Sequence, residues 1–86
     1  MKNDYDLLFK QLRDELEYAH AKWGDEFDKQ NTANDWAAYI NVYLGKACAM
    51  PFDGPTYHKN MLKVAGLALN AAKSYANDTL KLRHYD

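Results

Sequence analysis

Two lysines occupy positions where they could hold an anion. Lys63 interrupts the apolar run at residues 60–69, and Lys46 closes the run at 39–50. Asn60, Lys63 and Asn70 are spaced by three and seven residues, so a helix would carry them on one face. A lysine within an apolar helix must pair with an anion or extend its amine to water. Lys46 can reach the same region from the preceding helix. Trp36, Tyr39 and Tyr43 supply an aromatic wall with polar tips. Two lysines, two amides and aromatic walls suit a phosphate attached to a base or ring. In the competing reading, Lys63 reaches water and the tyrosines complete the core. Leu80 and Leu82 alternate just before the chain end, which suggests that the end packs, and Arg83 and Tyr85 could then cover the site. Otherwise the end is a solubilising tail.

Other chemistries are poorly represented. Glu17 and His20 have the i, i+3 spacing of helical di-metal sites, but residues 57–76 contain no acid to complete one. They read as surface residues. Cys48, flanked by Ala47 and Ala49, reads as a buried structural cysteine. There is no nucleophile elbow and no glycine-rich phosphate loop. No catalytic residue, metal ligand or cofactor is assigned.

The elements that would position these residues are helices. Tyr5, Leu8, Leu12, Leu16, Ala19 and Trp23 recur at spacings of three and four, predicting a helix over about 4–23 that Gly24 ends. Residues 25–34 read as a polar connection. Thr32 and Asp35 have capping-box spacing, and a second helix is expected over about 33–49, stopped by Pro51. A third is expected over about 56–76 with Thr56 as its cap. Its apolar stretch makes it the central, most buried helix, with Gly66 and nearby alanines allowing close approach. Residues 77–86 form a C-terminal arm. The expected fold is all-α, a small three-helix bundle in one domain.

Eighty-six residues bury only about 60–65% of the unfolded surface. Completion by homo-oligomerisation is therefore expected. A net charge of −1 argues against general nucleic-acid binding. The charge is unevenly placed: residues 1–35 hold nine acids and five bases, whereas residues 36–86 hold three acids and six bases. An anion would meet the second half. No apolar run is long enough to span a membrane. One cysteine suits a reducing cytoplasm.

The Ala21-Lys22-Trp23-Gly24 turn, the Tyr43-Leu44-Gly45 segment and the Lys63-Val64-Ala65 segment resemble the all-α, MazG-like nucleoside triphosphate pyrophosphohydrolases over roughly residues 10–75. That family holds Mg²⁺ through Glu-Glu-x-x-Glu on one helix and Glu-x-x-Asp on the next. Laid on this chain, the first motif falls on Lys46, Ala47 and Met50, and the second on Asn60 and Lys63. A unit charge costs on the order of 4 kcal/mol beside a like charge at about 4 Å and an effective dielectric of ~20. Two lysines would repel the metal and could neutralise a phosphate directly. The resemblance thus implies a degenerate, non-enzymatic relative that binds a small anionic, nucleotide-derived ligand. In a phage setting, by analogy, it would sequester a signalling nucleotide. Alternatives are a protein-interaction module that inhibits a host protein, with the acidic first helix and the Trp23–Trp36 segment as its surface, and an active pyrophosphohydrolase using Asp14, Glu17, Asp25 and Asp28.

Overall fold

The computed structural model describes residues 2–75 and 80–84, and the described residues contain helices and no strand. The helices are α1 (Lys2–Gln30), α2 (Ala33–Ala47) and α3 (Gly54–Ser74). The all-α expectation holds. The expected end of α3 at residue 76 and the Tyr85 contact lie outside the described residues.

α1 is longer than its apolar stripe predicts. Gly24 interrupts it with φ 78° and ψ 174°, a region open essentially to glycine. The chain then resumes as helix through residue 30, where the sequence suggests a polar connection. A polar stretch can be helical when its packing partner is supplied by another element, and here Phe27 has one.

Every backbone N–H from residue 32 to 36, at the start of α2, has an acceptor. The Thr32 N–H donates to Asp35 Oδ2 at 2.9 Å, and the Asp35 N–H returns to Thr32 Oγ1 at 3.1 Å. This is the expected capping box. The Ala33 and Asn34 N–H groups donate to the Lys81 and Leu82 carbonyls at 2.8 and 3.1 Å, and Trp36 donates to the Thr32 carbonyl at 3.1 Å. Helix-start donors normally left over are thus satisfied by the C-terminal arm. Asp35 also meets His84 Nε2 at 2.7 Å.

α3 begins two residues before the expected Thr56. Asp53 is the cap, accepting from the Thr56 N–H at 3.1 Å and from the Thr56 hydroxyl. Pro55 lies in the first turn, where its missing N–H costs nothing.

Both α1 and α2 pack on α3, and among the described residues the backbones of α1 and α2 do not come together. α1 runs parallel to α3. Gln11 meets His58 at 3.0 Å, Glu15 meets Lys63 at 2.9 Å, and Leu12, Glu15 and Leu16 lie against Gly66. α3 is central as expected, but residues 61–67 are mostly half-buried rather than deeply enclosed. Cys48 is exposed at the end of α2, which corrects its reading as a buried residue.

The two glycines predict opposite outcomes. A Cβ at Gly66 would meet Glu15, Leu16 and Leu12 side chains at 3.6–3.9 Å, which is ordinary contact. Gly66→Ala should therefore stabilise the fold by about 0.5–1 kcal/mol and raise Tm by about 2–8 °C. A Cβ at Gly24 meets nothing within 4 Å, so the cost of Gly24→Ala is backbone strain alone, about 1–3 kcal/mol. Thermal melts of the two variants against wild type check both signs.

Candidate functional site

Since α1 and α2 both lean on α3 while their backbones stay apart, a cleft of about 670 Å³ remains between them. Tyr18, Trp23 and Phe27 line it from α1, and Trp36, Tyr39 and Tyr43 from α2. Lys63, Gly66, Leu67, Asn70 and Lys73 line it from α3.

Rings and ammonium groups alternate along part of this cleft, from Tyr43 through Lys63, Tyr18 and Lys22 to Trp23. Lys63 Nζ lies 5.6 Å from the Tyr43 ring centre and 5.8 Å from that of Tyr18. Lys22 lies 5.9 Å from Tyr18 and 5.0 Å from Trp23. Trp23 stacks on Phe27 at 5.0 Å, and Phe27 tilts against Tyr39 at 6.0 Å. Tyr39 and Tyr43 are one turn apart on α2, and both line the cleft. Each cation–π contact is worth about 0.5–1 kcal/mol at exposed sites. Gly24 matters here because its backbone sets the direction of the segment carrying Phe27.

The expected site residues divide into two groups. Trp36, Tyr39, Tyr43, Lys63 and Asn70 all line the cleft. Lys46 does not; its Nζ sits 4.9 Å over the Tyr43 ring. Asn60 is also outside, buried, with Nδ2 donating to the Thr56 carbonyl at 2.9 Å. Arg83 belongs to the arm at the start of α2 and is not part of the lining.

Lys63 already has an anion. Its ammonium meets Glu15 Oε1 at 2.9 Å, with both side chains about three-quarters covered. The lining as a whole is charge-balanced, with Glu15, Glu17 and Asp28 against Lys22, Lys63 and Lys73. Spacing along the chain missed Tyr18, Lys22, Trp23, Phe27 and Lys73 as site residues. The Trp23–Phe27 interval of four was the available signal. Among the described residues, no three His, Cys, Asp or Glu side chains converge as a metal site.

Trp36 is 2% exposed, yet its indole N–H has no acceptor. Burying that group without a partner carries a penalty. Trp36→Phe should remove the penalty with most of the ring kept, and cost under about 1.5 kcal/mol. Trp36→Ala should cost about 3–5 kcal/mol. Urea unfolding of both variants measures the difference.

The Asp35 carboxyl is held below its ordinary value of 3.8, first because it accepts the Thr32 N–H and then because His84 lies beside it. A carboxyl lowered in the folded state stabilises the fold above its unfolded value and loses that contribution as pH falls through the folded value. The advantage of wild type over Asp35→Asn should be full above the ordinary carboxyl value of 3.8 and be lost as pH falls through the lower folded-state value. Unfolding curves across that range test the sign.

Comparison with family models, characterised proteins and solved structures yields no match.

Proposed function

We propose that the protein is a non-enzymatic binding protein whose cleft takes a flat, ring-containing anion of the nucleotide class. The supporting observation is the belt of aromatic rings and ammonium groups around one cleft. A base stacked on an aromatic side chain gains about 1–3 kcal/mol. The cleft volume also falls within the range of small-molecule sites, about 300–1,000 Å³.

The anionic part of the ligand is assigned to Lys73 and Asn70 rather than to Lys46 and Lys63. Lys63 is neutralised by Glu15, so a phosphate there would have to displace a carboxylate. Lys73 and Asn70 are one turn apart on α3, and both line the cleft. The resemblance to MazG-like pyrophosphohydrolases fits this ligand class. The lysines in place of that family's carboxylates favour binding over metal-assisted cleavage.

Calorimetric titration with nucleoside mono-, di- and triphosphates and with cyclic mono- and dinucleotides tests the reading. At least one should bind. Tyr39→Ala and Lys73→Ala should each weaken that binding at least about fivefold, the lower end of a stacking or charge contact. Lys46→Ala should change it less than about twofold. An inert panel overturns the proposal. Nucleotide recovered after incubation with Mg²⁺ should be intact; release of pyrophosphate would replace binding with hydrolysis as the function.

A further inference from the structure

We infer that the Glu15–Lys63 pair reads the base of the ligand and selects guanine. The inference rests on the nucleotide-class reading of the cleft and names which nucleotide the cleft takes. The first observation is the pair itself. Glu15 Oε1 and Lys63 Nζ are 2.9 Å apart, and both residues line the cleft. Their side chains are 25% and 22% exposed, so the pair is held in place yet still open on one side. Their mutual bond uses one N–H of the three on the ammonium and part of the acceptor capacity of one carboxylate oxygen. Neither side chain makes another hydrogen bond among the described residues. A wall of the cleft therefore carries, in order, two acceptor oxygens and a donor.

Guanine presents the complementary order. Its 2-amino group and ring N–H donate, and the carbonyl beside them accepts. The amino group would meet Glu15 Oε2, the ring N–H would meet Oε1, and Lys63 Nζ would donate to the carbonyl. All three bonds involve a charged partner, which makes each stronger than a neutral one. Adenine in the same pose turns a ring-nitrogen lone pair to the carboxylate and its amino group to the ammonium. It must shift to make fewer bonds. Uracil places a second carbonyl against the carboxylate.

The rings and the length of α3 support the same placement. Lys63 Nζ lies 5.8 Å from the Tyr18 ring on α1 and 5.6 Å from the Tyr43 ring on α2. A base edge at the pair is thus within reach of one ring from each outer helix. Asn70 and Lys73 follow Lys63 by seven and ten residues on α3, about 10 and 15 Å along its axis. A nucleoside diphosphate with its base edge at Lys63 brings its first phosphate near Asn70 and its second near Lys73.

Calorimetric titration of the wild-type protein with guanosine, inosine and adenosine 5′-diphosphates tests the inference. Guanosine diphosphate should bind tightest. Inosine diphosphate lacks only the 2-amino group and should bind at least about fivefold more weakly, and adenosine diphosphate at least about tenfold. Glu15→Gln should reduce the guanosine-to-adenosine ratio to under about threefold. A purely structural role for Glu15 would weaken both ligands alike and leave the ratio unchanged. The wild-type series decides the matter even if that variant fails to fold. Diphosphates that bind without a preference for guanine, or an unchanged ratio in a folded Glu15→Gln protein, overturn the inference and leave the nucleotide reading standing. A panel in which nothing binds overturns both.

Discussion

The structure depends on the packing of two outer helices against a single shared helix. α3 supports α1 through the Gly66 crossing and the Glu15–Lys63 pair, and it supports α2 across the 48–53 turn. Three helices in mutual contact would enclose a triangular core. Here the third contact is missing along most of its length, and Phe27 against Tyr39 bridges the outer helices at one end. The cleft is the space left by that missing contact. Its aromatic walls face a gap instead of each other, so little is fully buried: Trp36 and Ala47 are the only buried hydrophobic residues among those described.

A small core places more weight on the helix ends. α2 is held at its start by five satisfied donors, two of them bonded to the arm at 81–82. This links the end of the chain to the helix carrying Trp36, Tyr39 and Tyr43. The arm does not line the cleft, but it fixes the first turn of the helix that forms one wall. Gly24 has a comparable role on the opposite wall, because its positive φ directs the segment bearing Phe27. Both walls are thus set by backbone features outside the cleft.

The sequence showed these features unevenly. Thr32 and Asp35, Gly24 and the small residues near Gly66 each follow a local rule, and each was legible. Asp53 was not, because Asp-Gly before a proline reads as a turn before it reads as a cap. Helix at 25–30 was hidden by its polarity. The destination of the arm was hidden for a different reason: its bonds at α2 come from backbone carbonyls, which carry no side-chain signature. The Lys63 partner was also out of reach. Spacing within α3 shows that Lys63 must pair with an anion or reach water, but only the parallel register of α1 against α3 identifies Glu15.

That pairing changes the electrostatics of the site. An uncompensated lysine on an apolar helix would make the cleft a general anion trap. Here the Lys63 charge is answered by Glu15, and its ammonium also lies against two ring faces. Its role becomes that of a strut tying α3 to α1 and α2. On the proposed binding reading, selectivity would then rest on shape rather than on net charge. A balanced lining gives little long-range attraction to anions in general, whereas the ring belt rewards a flat molecule that can lie between the walls. A simple phosphate ion would meet Lys73 and Asn70 at the α3 side and leave the rings uncovered. Under the proposed nucleotide-class reading, a phosphate carrying a base would use both.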